Sequence, residues 1–159
     1  MTIDSTNGRI DTSSRVILAS PHLIYQAFIN PEAMATWLPP KGMSARIDLF
    51  EPYPGGKYVI TLSYESSQSG MGKTSDNTDV SKGGFVELVP NKKIVQVGEF
   101  ESDDPTFSGK IMLTWYIEAL SEGTKVTVVC ENVPEGIKKA DHLEGLASTL
   151  ENLSAYTEE

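Results

Sequence analysis

The chain has 159 residues, of which 39% are hydrophobic, which is enough for one well-buried core and too little for two. Its formal net charge of -9 argues against nucleic acid or an anionic membrane surface as a partner, because either would need a dense face of Lys and Arg. The single cysteine, Cys130, cannot form an intramolecular disulfide, and residues 1–10 are too polar for a signal peptide, so we expect a cytoplasmic protein.

The first predicted elements are a strand and two short helices. Residues 15–20 are expected to form the end of a strand, with successive side chains on opposite faces. Ser20-Pro21 then supplies an N-cap and a first-turn proline. Asn30-Pro31 repeats this signal, and Pro39-Pro40 ends the second helix.

Apolar alternation and turn residues predict six further strands. They are expected at 45–49, 57–64, 83–89, 94–100, 110–118 and 125–131. Residues 66–82 show no periodicity, so we expect a mobile loop there, near the mouth of any cavity. Because turns and loops join the strands, the pattern predicts an antiparallel sheet and an α+β fold.

The last predicted element is one amphipathic helix over residues 141–156. The carboxylate of Asp141 is expected to cap it, with Glu144 three residues later completing a capping-box-like arrangement. Its apolar stripe is expected to pack on the sheet and consists of Leu143, Leu146, Ala147, Leu150 and Leu153.

The order of these signals resembles the SRPBCC (START-like) superfamily, in its branch similar to the activator of heat-shock-protein ATPase. The resemblance covers about residues 9–156. It is carried by segment 15–37 with its tryptophan, by Pro54-Gly55-Gly56-Lys57-Tyr58, by the hairpin at 84–95, and by Asp141-His142 with Gly145 in the last helix. Leu146 departs from the family pattern, which often has a tryptophan directly after that glycine.

The resemblance implies a helix-grip fold, in which a curved antiparallel sheet of six to seven strands wraps around a long C-terminal helix. It implies a single START-like domain at 9–156 after a flexible N-terminus at 1–8. It also implies a non-enzymatic carrier or sensor that binds an apolar or aromatic small molecule in an internal cavity, as a monomer or a homodimer.

The cavity is expected between the last helix and the concave face of the sheet. No catalytic residue, metal site or cofactor is predicted, since the inward positions are mostly aliphatic, Tyr or Trp and the two histidines are 120 positions apart. The predicted ligand-binding residues, with Trp37 at the rim, are Trp37, Tyr58, Leu62, Tyr64, Phe85, Trp115, His142, Leu146 and Leu150.

Five members of this set have a purely structural alternative. His142 is either a ligand-orienting group or a partly exposed histidine at a helix start. Trp37 and Trp115 are either pocket walls or plain core packing. The hydroxyls of Tyr58 and Tyr64 either hold a ligand or bond to local partners.

Two functions of other classes stay open. One is a protein-interaction module related to chaperone ATPase activators, with a chaperone or another protein as the partner. The other is an enzyme resembling the polyketide cyclases and hydrolases of the superfamily, which would need acids and bases converging inside the sheet.

Overall fold

The computed structural model describes residues 8–40, 42–64 and 78–158. A strand, two short helices, six strands and a long helix follow one another, in the predicted order. The elements are β1 (Ile10–Ile17), α1 (Pro21–Ile29), α2 (Pro31–Trp37), β2 (Met43–Phe50), β3 (Lys57–Tyr64), β4 (Thr78–Val89), β5 (Lys93–Phe100), a 3-10 turn (Pro105–Phe107), β6 (Ile111–Ala119), β7 (Thr124–Glu131) and α3 (Lys139–Thr157).

The strands form one seven-stranded sheet in the order β1-β7-β6-β5-β4-β3-β2. Every pairing is antiparallel, and each strand from β2 to β7 lies beside its neighbour in sequence. β1 pairs out of order: it forms the edge of the sheet and lies beside β7. The predicted helix-grip architecture is confirmed.

Both short helices begin at the predicted caps. The Oγ of Ser20 accepts a hydrogen bond from the backbone N–H of Leu23 at 3.2 Å. The Oδ1 of Asn30 accepts from the N–H groups of Glu32 and Ala33 at 2.9 and 3.2 Å. These bonds satisfy N–H groups that have no partner within the helix.

The start of α3 differs from the prediction. The helix begins at Lys139, and its N-cap, Lys138, makes no side-chain capping bond. A preceding turn sets the start instead. The N–H of Ile137 closes this turn by donating to the carbonyl of Pro134, and Arg9 donates to the carbonyl oxygens of Pro134 and Ile137. Asp141 lies in the first helical turn, where its charge is favourable near the positive end of the helix dipole.

The buried face of α3 includes Leu146, Leu150 and Leu153, as predicted, but Ala147 is exposed. The helix packs against β1, α1 and α2. Two side-chain bonds tie it to the chain after α2: Thr149 donates to the carbonyl of Leu38 at 3.0 Å, and Asn152 donates to that of Pro39 at 2.9 Å.

Two strand predictions are corrected. The first strand runs over Ile10–Ile17 and so ends before Ser20. Residues 78–82, expected in a loop, begin β4, which pairs with β3 and β5. Their side chains are mostly polar, so periodicity gives no signal, yet all five residues pair with β3, and Ser81 and Lys82 also pair with β5. The rest of the predicted loop, up to residue 77, lies outside the described residues, as do residues 1–7 of the predicted flexible N-terminus.

Candidate functional site

The concave face of the sheet is identified by Trp115, whose ring contacts Phe28 of α1. Because side chains alternate along a strand, and paired positions on neighbouring strands share a face, the inner residues can be followed from strand to strand. Trp115 pairs with Ile94 of β5 and with Val128 of β7. The helices cover this face unevenly.

One end of the concave face is closed by an aromatic cluster. Phe28, Trp37 and Trp115 pack together with ring centroids 4.8 to 6.0 Å apart. Trp37 is fully buried, and its indole N–H donates to the carbonyl of Ala27 at 2.9 Å. It was expected at the rim of a cavity, but it lies inside this cluster, because its N–H finds a backbone partner within the core.

The other end of the concave face is less completely buried. Several apolar inner side chains there are only partly buried, although they pack against the core. We call this region the open half; its apolar members are Ile47, Leu62, Phe100, Leu113 and Leu143. Leu146 lies beside it on α3, 8% exposed, and Leu150 is buried deeper.

Tyr58 and Tyr64 lie on the inner face of β3, but their hydroxyls have protein partners. Tyr58 donates to the carbonyl of Val97 at 3.2 Å, and Tyr64 donates to the carboxylate of Asp79 at 3.1 Å. Burial raises the pKa of both phenols, and for Tyr64 the negative charges of Asp79 and Asp141 raise the pKa further. Both tyrosine hydroxyls therefore bond to partners within the protein.

His142 belongs to a charged cluster at the start of α3. Its Nδ1 lies 2.6 Å from Oδ2 of Asp11, a fully buried carboxylate on the inner face of β1. Arg9 forms a two-bond contact with the same carboxylate, at 2.9 and 3.2 Å, and the Nζ of Lys139 lies 3.9 Å from it. Burial alone would raise the pKa of Asp11, but hydrogen bonds from Arg9 and His142 outweigh it and lower the pKa.

Cys130 lies beside this cluster and is fully buried. Burial, with a contribution from the charge of Asp11, raises the pKa of its thiol to about 12, so it stays protonated and unreactive at neutral pH. Within residues 8–40, 42–64 and 78–158, no three His, Cys, Asp or Glu side chains are grouped so as to hold a metal ion.

Two surface grooves lie away from the open half. One, of about 970 Å³, is bordered by the start of α1, the turn at 90–92 and the strands β6 and β7. The other, of about 370 Å³, runs along Gly55–Lys57 and includes Phe85, a predicted site residue. Both grooves open to solvent.

The structure thus separates the predicted site residues into groups. Trp37, Trp115 and Leu150 belong to the closed end, whereas Leu62, Tyr64 and Leu146 border the open half. Phe85 and Tyr58 pack against each other between them, with ring centroids 5.7 Å apart. His142 lies at the start of α3, near the mouth of the open half.

Sequence reasoning missed three polar residues on the inner face. Asp11 lies in a strand whose alternation is too weak to reveal an inward carboxylate. Asp79 begins β4, which was expected to be a loop. Gln96, which accepts a hydrogen bond from the indole N–H of Trp115 at 2.9 Å, did carry a signal. It lies two residues after buried Ile94, and therefore on the same face of a largely apolar strand.

A curved antiparallel sheet that holds a C-terminal helix and two short helices on its concave face defines a helix-grip domain of the START-like class. The sequence model of the family described as "Activator of Hsp90 ATPase homolog 1-like protein" matches residues 18–158, and the chain belongs to this family. Among curated proteins, none matches the chain.

Solved structures share the whole fold. A crystal structure of a protein from Chromobacterium violaceum has 26% sequence identity and a TM-score of 0.83, covering 95% of this chain and 99% of that one. A protein from Rhodobacter sphaeroides, at 16% identity and a TM-score of 0.76, covers 97% and 95%. A protein from Arthrobacter aurescens, at 14% identity and a TM-score of 0.76, covers 98% and 92%.

Among the described residues, no helix combines the length and the apolar character needed to cross a bilayer.

Proposed function

We propose that the protein binds an apolar or aromatic small molecule in the open half of the concave face and carries or senses it without chemical conversion. The observation that supports this most is the partial exposure of inner apolar side chains, such as Leu62 and Leu113, beside a tightly packed end of the same face. Burying a ligand against them contributes about 25 cal/mol per Å² of apolar surface removed from water.

The polar groups around the open half favour binding over catalysis. The hydroxyls of Tyr58 and Tyr64 already donate within the protein, and the thiol of Cys130 is buried and protonated. The Asp11 carboxylate is held by Arg9 and His142. A catalytic site would need an activated nucleophile or a base within reach of a substrate, and these groups supply structural bonds instead.

The proposal includes a cytoplasmic location and a ligand taken up by a monomer or a homodimer. A chain whose one cysteine is buried and unpaired does not depend on an oxidising compartment for its stability.

The test is a titration with N-phenyl-1-naphthylamine, a neutral dye whose fluorescence rises in apolar surroundings. A neutral dye is chosen because the net charge of -9 repels anionic probes. Leu146→Trp puts a large ring under α3, and we expect it to weaken dye binding at least tenfold with little change in thermal stability. The matched control is Ala147→Trp on the exposed side of the same helix, which should bind as wild type does.

Absence of dye binding to the wild type, or equal binding to the two tryptophan variants, would contradict the proposed site. In that case, a protein partner on the same face becomes the better account. Native mass spectrometry of protein purified from its own host gives an independent check, since a carrier is expected to retain a small molecule.

A further inference from the structure

Gln96 is a polar side chain set among apolar ones in the middle of the concave face. It lies on β5, is 6% exposed, and pairs in register with Phe85 of β4 and Leu113 of β6. A buried amide in such surroundings is costly unless its oxygen and its NH₂ group both find partners.

Trp115 fixes the orientation of this amide. An indole N–H can only donate, so the atom that it contacts at 2.9 Å must be the carbonyl oxygen of Gln96. The NH₂ group is the other arm of the planar amide. It therefore points in a different direction from the bond to Trp115.

The NH₂ group has no acceptor among the described residues. In that same part of the chain, every side-chain N or O atom fully shielded from solvent has a hydrogen-bond partner. The Nε2 of Gln96 must therefore border space that a water molecule can enter. This nitrogen thus borders accessible space beside partly exposed Leu113, with which Gln96 pairs in register.

We infer that Gln96 is the polar anchor of the site, and that its NH₂ group donates to an oxygen acceptor on an otherwise apolar ligand. The ligand class is an aromatic or polycyclic molecule that carries a carbonyl or ether oxygen. This inference rests on the proposed function, because it assigns a specificity to the same open half. A site with a fixed buried donor discriminates against analogues that lack the acceptor, since they leave the donor unpaired.

The test compares 2-acetylnaphthalene with 2-ethylnaphthalene, which share the ring system and a two-carbon side chain and differ by the ketone oxygen. Each displaces N-phenyl-1-naphthylamine from the protein. We expect the wild type to bind the ketone about three- to tenfold more tightly than the hydrocarbon, relative to their partitioning from water into octanol.

Gln96→Met keeps the length of the side chain and removes the donor. We expect it to abolish the preference for the ketone while the affinity for 2-ethylnaphthalene changes less than twofold. The matched control is Gln26→Met, at an exposed position of α1, which should keep the wild-type preference. Because Gln96→Met also leaves the Trp115 N–H unpaired, Gln96→Met with Trp115→Phe serves as the second variant.

The outcomes separate the two proposals. If neither naphthalene binds the wild type, the proposed function fails and the role of Gln96 fails with it. If both bind with equal affinity, or if Gln96→Met keeps the preference for the ketone, the site stands and the anchor is wrong.

An NMR measurement on the wild type does not depend on how the variants fold. The two side-chain N–H signals of Gln96 are expected to move with 2-acetylnaphthalene much more than with 2-ethylnaphthalene. Equal movement with both ligands would overturn the inference.

Discussion

At the scale of single residues, the buried carboxylate of Asp11 joins three parts of the molecule. It lies on β1, accepts hydrogen bonds from Arg9, and contacts His142 of α3. Arg9 in turn bonds to the carbonyls of the turn before α3. Asp11 therefore positions the helix start through charge, at a place where a side-chain cap is absent.

Asp11→Asn keeps the size of this side chain and removes its charge. We expect a loss of about 1.5–3 kcal/mol in the free energy of unfolding, because hydrogen bonds to a charged group inside the protein are weakened. Urea denaturation followed by circular dichroism measures it. The control is Asp48→Asn, whose ion pair with Arg46 is solvent-exposed and should contribute little. Equal losses for the two variants would show that the charge of Asp11 does not hold α3.

The sequence predicts which residues are buried better than it predicts their partners. Alternation placed Trp115 and Tyr58 on the inner face of the sheet, and the apolar stripe of the last helix placed Leu150 against it. It could not show that Asp11, more than 130 positions away, would meet His142, because that contact depends on how β1 returns to the sheet edge beside β7. Partners of buried polar groups are a property of the fold, and local pattern does not contain them.

At the scale of elements, capping bonds from nearby side chains explain where the two short helices begin, but they do not explain where α3 begins. Ser20 and Asn30 cap through their own side chains, so the signal and its effect lie within four residues. Asp141 carries the same kind of signal, yet the helix begins at Lys139. The turn before α3, bonded to Arg9, determines the start of the helix instead of a capping bond from Asp141.

Asn30→Ala is expected to cost about 1 kcal/mol, because it removes the acceptor of two N–H groups at the start of α2. Lys138→Ala, at the corresponding cap of α3, should leave stability unchanged within error, since its side chain makes no capping bond. Thermal melts of the two variants check the contrast. If Lys138→Ala lost as much stability as Asn30→Ala, side-chain capping would not be what distinguishes the two helix starts.

At the scale of the whole molecule, the two ends of the concave face have different roles. The closed end joins α1, α2 and the sheet through Phe28, Trp37 and Trp115, which leave no room for a ligand among them. The open half keeps apolar side chains partly exposed. This division is not visible in the sequence, where inward leucines of both ends look alike.

Leu150 and Leu143 test this division, because they lie on the same helix near different ends of the concave face. Leu150 is 1% exposed in the core, whereas Leu143 is partly buried beside the open half. Leu150→Ala should cost about 2–5 kcal/mol through the cavity it leaves, with dye binding retained in the folded protein. Leu143→Ala should cost less stability and weaken the binding of N-phenyl-1-naphthylamine more, since it removes part of the apolar wall. Denaturation curves and dye titrations on both variants measure the two effects. If the variant that loses more stability also loses more dye affinity, one continuous core lies beneath α3, and the two ends are not functionally distinct.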